Sequence, residues 1–336
     1  MSALLTWEKI VLNLRNPFRL SYGVSETREI YWMKLDGGEG WGESAIPPYY
    51  KVDAGAMTSY WERMVRTKRR PPENLAEVEA WIGSDGPAPA RCAVDLAVCD
   101  RIGRKAGLPL YALFGLPKPQ PQPTSFTIAI DTPEEMARMA TEIAAYPVIK
   151  VKLGSDDDIT RLKAIRAARP DARLRVDANA GWSRNKAAEL LPLLEPLGLE
   201  MIEQPVVKED IGGLGWLQKQ TSIPIVADES VQSEEDVRRL AAAGVAGINL
   251  KLMKLGGLIP TLKILHLAQG LGLRIMLGCM IETSIGTTAM AHLSGAAEWL
   301  DLDAPLLISN DPFHGLEYDE HANLLVPDRP GIGIIR

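Results

Sequence analysis

The feature that most constrains this chain is a period. Beyond about residue 124, short β-branched runs alternate with helical patterns of ten to fifteen residues, the mark of repeated βα units and a parallel sheet. Eight runs read as strands: SFTIAI (125–130), VIKVKL (148–153), RLRVDA (173–178), LEMIEQ (199–204), PIVADE (224–229), GINLKL (247–252), RIMLGC (274–279) and EWLDLD (298–303). From the second run to the eighth, the residue marking each C-terminal end falls at 152, 177, 203, 228, 251, 279 and 301, so successive gaps are 25, 26, 25, 23, 28 and 22. No glycine-rich phosphate loop opens the first helix, so the spacing predicts a (β/α)8 barrel rather than an open doubly wound sheet. Thr132-Pro133-Glu134-Glu135 and Ser233-Glu234-Glu235 read as N-caps followed by acidic first turns.

The first third has a different texture. REIYWMKL (28–35), Gly37-Gly38 and Gly40-Trp41-Gly42-Glu43 suggest a meander, while Leu75 to Gly83 and Arg91 to Gly107 have helical patterns. Residues 117–123 hold four prolines in seven positions and read as a linker. The predicted fold class is therefore α/β, a modified TIM-type barrel over 124–311 with an α+β capping domain over 1–116 that the tail, 312–336, completes.

Charge narrows the function classes. The 336 residues carry 37 Lys plus Arg against 43 Asp plus Glu, a net charge of −6 without any long basic run, which argues against nucleic acid. Glu8, Lys9 and Arg15 interrupt the apolar N-terminus too early for a secretory core, and no run of 18 uncharged apolar residues occurs, so neither membrane insertion nor a targeting address is expected. Cys92, Cys99 and Cys279 are odd in number and lack metal-type spacing, so they are expected to be reduced thiols in a cytoplasmic protein. The sequence leaves the oligomeric state open, and a homo-oligomer is compatible with it.

In a barrel of this kind the C-terminal strand ends face one shared site. Asp177, Glu203 and Asp228 occupy three consecutive ends, the third, fourth and fifth. Any one alone would pass as a surface acid capping the next helix. Three converging carboxylates repel unless a cation joins them, and an all-oxygen donor set suits a hard ion such as Mg²⁺. Lys150 and Lys152 share a face of the second strand, and Lys251 ends the sixth, four places round the ring. Each could be a solvated rim lysine. Together they place amines on opposite sides of anything held by the ion, which is the arrangement needed to remove a proton α to a carboxylate on one face and return it on the other. Such a base must lose its own proton near neutral pH, which a neighbouring cation and desolvation promote. This is the chemistry of a racemase or epimerase.

The motifs KVK (150–152), DANAGW (177–182), EQP (203–205), ADES (227–230) and NLKLMKLGG (249–257) resemble, in that order, those of the enolase superfamily in its muconate-lactonizing subgroup, whose sites pair Lys or His bases with Mg²⁺. The resemblance runs over the whole chain. It implies Asp177, Glu203 and Asp228 as Mg²⁺ ligands, Lys152 and Lys251 as the acid/base pair, and Lys150 as a partner of the substrate carboxylate that also lowers the pKa of Lys152. Lys254 shares the last motif, but Lys251 directly follows the strand GINL, whereas Lys254 is expected in the turn. At the eighth strand, Asp301-Leu302-Asp303 puts two acids on one face, a natural seat for an ammonium group. This D-x-D resembles that of the dipeptide epimerases, where it holds the dipeptide's N-terminus. The same resemblance implies that Thr127, Cys279, Met280 and Ile281 line the substrate cleft. Ala-Glu epimerases carry an arginine in the first capping loop, and here RLSYGVSET (19–27) has Tyr22 in that place. With Tyr49 and Tyr50, Tyr22 suits an apolar or aromatic second residue, while Arg19, Arg28 and Lys51 remain as sources of charge.

The resulting expectation is a Mg²⁺-dependent epimerase that inverts the α-carbon of the C-terminal residue of L,L-dipeptides, with the preferred dipeptide and the direction of flux left open. An N-acylamino-acid racemase, o-succinylbenzoate synthase or cycloisomerase would share the metal and lysines but would not need Asp301 and Asp303. A metal-free Schiff-base aldolase would need one lysine and none of the three acids. A non-catalytic dipeptide-binding protein would not need the lysine pair.

Overall fold

The computed structural model describes residues 4–46, 48–67 and 69–336. The chain opens with a three-stranded antiparallel sheet, β1 (Leu5–Leu20), β2 (Gly23–Leu35) and β3 (Gly40–Ala45), followed by α1 (Ala54–Thr67), α2 (Val78–Ile82), α3 (Ala88–Ala106) and α4 (Leu110–Leu113). The β1–β2 ladder breaks register between Asn13 and Phe18, which arches residues 14–17 out of the sheet. Alternating residues of β2 bury Tyr31 and Met33 against Trp61 and Ala93, building a core for this layer. Gly40 and Gly42 let β3 lie on α3, because a Cβ at either position would stand 2.0 Å from a carbonyl oxygen of that helix.

Eight parallel strands follow: β4 (Phe126–Ile128), β5 (Val148–Lys152), β6 (Arg173–Asp177), β7 (Leu199–Glu203), β8 (Ile225–Ala227), β9 (Gly247–Leu250), β10 (Arg274–Gly278) and β11 (Trp299–Asp301). Each pairs with its sequence neighbour. Across the remaining seam, Ser125 N donates to Leu300 O at 3.0 Å and Leu302 N to Thr124 Oγ1 at 2.8 Å, so the barrel is nearly closed. All eight expected strands form, each at least one residue shorter than its run, because the chain leaves the ladder where side chains must converge at the mouth.

Between and after the strands lie α5 (Pro133–Glu142), α6 (Asp158–Ala168), α7 (Arg184–Leu194), α8 (Ile211–Gln218), α9 (Glu234–Ala243), α10 (Leu252–Leu255), α11 (Leu258–Gly270), α12 (Ser284–Ala291) and α13 (Ala304–Leu307). The two caps expected from sequence are present: Thr132 Oγ1 accepts from Glu135 N and Ser233 Oγ from Asp236 N. Among the described residues no helix is long and apolar enough to cross a membrane.

The meander layer sits over the C-terminal ends of the strands and is clasped there by buried acids. Glu43 of β3 accepts from Thr283 N at 2.8 Å, Thr283 Oγ1 at 2.6 Å and Gly286 N at 3.0 Å, capping α12. Asp95 of α3 accepts from Leu258 N and caps α11. The tail returns to the same layer, where Phe313 packs against Trp32 and Trp41 and Ile332 N donates to Asp100.

Candidate active site

The mouth of the barrel is made by turns with unusual backbone. Asn179 and Ala180, beyond β6, and Gln204, beyond β7, have positive φ of 43°, 58° and 35°. These bends let Asn179 N donate to Asp177 Oδ1 at 2.8 Å and let Gln204 Oε1 accept from Asp228 N at 2.8 Å, so each turn fixes a carboxylate-bearing segment. A Cβ at Gly181 would stand 2.7 Å from Gly154 Cα, so glycine is required where these two loops touch.

Asp177 and Glu203 are register partners on adjacent strands, and Asp228 lies one residue past β8; all three are buried. Lys150 Nζ stands 2.7 Å from Glu203 Oε2, 2.7 Å from Asp301 Oδ2 and 3.1 Å from Asp177 Oδ2. Lys152 Nζ reaches Asp177 Oδ2 at 2.7 Å, and Lys251 Nζ reaches Asp228 Oδ2 at 2.7 Å. The sequence led us to expect acids gathered on one ion. Among the described residues, no group of three His, Cys, Asp or Glu side chains could hold a metal as placed. Asp177, Glu203 and Asp301 meet on the Lys150 ammonium and Asp228 faces Lys251 and Lys254, so each acid has a cationic counter-charge.

The electrostatics follow from burial and these pairs. Burial alone would raise Asp177 and Asp228, but the lysines beside them hold both below the usual carboxylate range. Glu203 is pushed up to about 7, first by burial and then by Asp177 and Asp228. Lys251 is held well above an ordinary lysine because the nearby carboxylates, Asp228 foremost, outweigh its desolvation. Buried Glu203 Oε2 meets the Lys150 ammonium alone, and Asp177, Glu203 and Asp228 together offer only hard, anionic oxygen donors, so these residues fit a divalent cation such as Mg²⁺.

A cleft of about 730 Å³, counted out to its open mouth, lies above these groups, a size suited to a small ligand. Lys152 and Lys251 both line it, entering from strand positions four apart in the ring of eight. Asp301 and Asp303 line it as well. Asp301 receives Lys150 Nζ and Ser125 Oγ, and Asp303 Oδ2 accepts from Thr127 N at 2.7 Å. Burial and the adjacent Asp301 push Asp303 up to about 7. Thr127, Cys279, Met280, Ile281 and Tyr22 are also in the wall, so the structure brings the expected cleft residues together. Lys150 is the exception among these, fully buried and no part of the cleft surface, and of the three acids only Asp228 reaches that surface, Asp177 and Glu203 being fully buried as well.

Above the cleft, Tyr22 and Tyr49 approach with ring centroids 5.7 Å apart, and Tyr49 and Tyr50 at 5.3 Å. The first capping loop is tied to the barrel through Ser21 Oγ, which donates to Asn179 O at 3.1 Å, and Arg19 O, which accepts from Ile130 N at 3.0 Å. Of the charges left open by the sequence, Arg28 lines the cleft, half-buried and without an ion pair among the described residues.

Several contributors were missed. Lys254 is not in an open turn: it lies buried on α10, 2.6 Å from Asp228 Oδ1, so two lysines hold that aspartate. Asn249 Nδ2 donates to Glu203 Oε1 at 2.7 Å, and its separation of two from Lys251 in NLK was the available signal. Glu229 lines the cleft next to Asp228 and is raised to about 8, first by burial and then by Asp228 and Asp177. Nothing in the strand pattern distinguished it, because its side chain points to the cleft only after the strand has ended.

A family model described as "Enolase C-terminal domain-like" matches residues 133–335. The chain is 36% identical to an L-Ala-D/L-Glu epimerase of Bacteroides thetaiotaomicron, covering 97% of this chain and 86% of that protein. It superimposes on a dipeptide epimerase of Enterococcus faecalis, solved with Mg and the dipeptide L-Leu-L-Tyr, at a TM-score of 0.91, 31% identity and 99% coverage of both chains. A substrate-liganded L-Ala-D/L-Glu epimerase of Bacillus subtilis gives a TM-score of 0.91 at 32% identity over 98% of each chain. With the barrel, its cap, and the buried acids and lysines at its mouth, these likenesses establish that the chain belongs to the enolase superfamily, among its dipeptide epimerases.

Proposed function

We propose that this protein is a Mg²⁺-dependent dipeptide epimerase that inverts the α-carbon of the C-terminal residue of L,L-dipeptides by a two-base proton transfer. The observation that carries the reading is the pair of lysines, Lys152 and Lys251, entering one cleft from opposed strands, with the Asp301/Asp303 pair in its wall. Asp177, Glu203 and Asp228 would hold the cation. When bound there it supplies Lewis acidity toward a substrate carboxylate and engages the acids that otherwise keep Lys251 protonated.

Lys152 and Lys251 remove and return the α-proton, one on each face of the substrate. Lys150, buried behind Asp177 and Glu203, adds positive charge beneath the substrate carboxylate. Asp301 and Asp303 receive the N-terminal ammonium, which fixes the dipeptide's direction and sets the α-carbon of its second residue between the lysines. Thr127, Cys279, Met280 and Ile281 complete the wall, and closure by Tyr22, Tyr49 and Tyr50 keeps water from the transferring proton. Those tyrosines favour an apolar or aromatic second residue, and Arg28 is the charge available to a carboxylate side chain. The same reading assigns 1–116 with 312–336 to the cap and 124–311 to the barrel, extends to a cytoplasmic enzyme, and leaves the oligomeric state open.

The test is solvent exchange. A library of L,L-dipeptides incubated with enzyme and Mg²⁺ in ²H₂O should acquire deuterium only at the α-carbon of the second residue, with epimers appearing alongside. Exchange in N-acylated amino acids and in no free-amine dipeptide would transfer the assignment to an N-acylamino-acid racemase.

A further inference from the structure

A second cavity of about 680 Å³ adjoins the catalytic cleft, and the two share Phe18, Thr127 and Leu307 as a common wall. The register break in β1 frees residues 14–17 from the β2 ladder, and they form one side of this second cavity, held to the chain around the end of α13 by the Leu14–Ile308 bridge and a bond from Asn13 N to Asn310 Oδ1. Its floor is apolar: Leu14, Phe126, Ile130, Met139 and Leu306 contribute. Its charged rim includes Asp131, Glu135, which accepts from Arg138 Nε at 2.8 Å, and Arg15, which donates to Leu306 O at 3.1 Å.

The position of this cavity relative to the acids limits what can enter it from the cleft. Asp303 bonds to the backbone of Thr127, so the acid pair stands at the partition itself. An ammonium group seated on Asp301 and Asp303 is one bond from the α-carbon that bears it. The rest of the peptide must run from that carbon toward Lys152 and Lys251. The side chain on the same carbon therefore points away from the lysines, past Thr127 and toward the second cavity.

We propose that this cavity is the subsite for the side chain of the substrate's N-terminal residue, and that it selects long aliphatic or aromatic groups. Apolar burial drives occupancy; at the rim Glu135 is paired with Arg138 and Asp131 is matched by Arg15 on the same wall, so size and apolarity rather than charge set the preference. The inference rests on the proposed epimerase activity, because it takes the position of the ammonium group from it. Arg15 and Asn16 leave one side of the cavity polar, so the preference is for size and apolarity rather than for a single residue.

The experiment is the rate of α-deuteration of the second residue in L-Ala-L-Leu, L-Leu-L-Leu, L-Phe-L-Leu and L-Glu-L-Leu, with the full chain and Mg²⁺ in ²H₂O. The expected kcat/KM for N-terminal Leu or Phe exceeds that for Ala and for Glu by at least tenfold, mainly through KM. Ala129→Phe and, independently, Met139→Trp fill the cavity from walls that the catalytic cleft does not share, and either should bring the Leu-to-Ala ratio to within about twofold of one. A flat profile in the wild type, or an unchanged ratio in a folded filled variant, overturns the subsite while leaving the epimerase intact. No deuteration in any dipeptide overturns the activity and the subsite together.

Discussion

Two layers of the same barrel interior, only two residues apart along each strand, have opposite chemistry. At the mouth stand Asp177, Glu203, Asp228 and Asp301; two positions earlier on the same strands are Arg175, Met201, Val226 and Trp299. Met201, Val226, Met276 and Trp299 form an apolar plug, and Arg175, the charged member of the four lower positions, is satisfied by Glu200 and Leu300 O rather than by the mouth. Gly247 makes room for the plug, since a Cβ there would lie 3.1 Å from the Trp299 ring. Period-two alternation turns both layers inward, so the pleat alone does not decide which will be charged. What decides is depth: the lower layer is sealed and gains free energy from burial, whereas the upper layer crowds like charges that only lysines, a cation or a substrate can balance. The plug serves stability and the mouth serves chemistry, so substitutions in the two layers should separate the two properties.

The largest effect should come from the mouth. Glu203→Gln removes one anionic donor while keeping its shape and its bond from Asn249, so epimerisation should fall by roughly 10²–10³ or more, the scale seen when a preorganised charge-stabilising group is removed. Lys150 keeps Asp177 and Asp301 when it loses the Glu203 charge, and the acids lose one mutual repulsion, so the urea midpoint should move far less than turnover does. A fall in stability without loss of turnover would erase the distinction between the layers. Met201→Ala is the reverse case. Truncating this fully buried side chain should cost about 2–5 kcal/mol in urea unfolding, with kcat per folded molecule retained.

The seam between cap and barrel should show the comparison as a pH effect. Burial pushes Glu43 up to about 7 from 4.5, although Thr283 and Gly286 donate to it. The folded protein thus holds a proton that the unfolded chain releases, and stability should decline as pH rises from about 4.5 to about 7, by up to about 3 kcal/mol at 1.36 kcal/mol per unit. Glu43→Gln should flatten that part of the profile measured by urea unfolding at a series of pH values; an unaltered slope would mean that other groups set it. The smallest effect belongs outside the barrel. Ser233→Ala removes the cap on α9 and should lower stability by about 1 kcal/mol with no change in turnover.

The barrel was legible because its signal repeats: a strand followed by a helix every 25 residues or so leaves few other folds. The acids and Lys152 were legible because they end strands, where the fold gives position a meaning. Lys254 was misplaced for the complementary reason. A four-residue helix, α10, carries it back beneath the mouth, and four residues are too few to show a period. Lys150 was placed on the correct face but at the wrong depth, because alternation fixes the side of the sheet and not the distance from solvent. That Lys150 would sit among Asp177, Glu203 and Asp301 depends on the second, third and fourth strands and the eighth meeting across the barrel, which no spacing encodes. The second cavity was illegible altogether, since one side of it is formed at a break in strand register where the local sequence, LRNPF, reads only as an interrupted strand.

The central claim, that Lys152 and Lys251 act on opposite faces of one α-carbon, is tested most directly by solvent exchange in Lys152→Ala and Lys251→Ala, each given the L,L and the L,D form of a turned-over dipeptide in ²H₂O with Mg²⁺. The account predicts that neither variant interconverts the epimers and that each deuterates only one of them, the two variants choosing opposite forms. Deuteration of the same epimer by both variants, or continued interconversion by either, would contradict it.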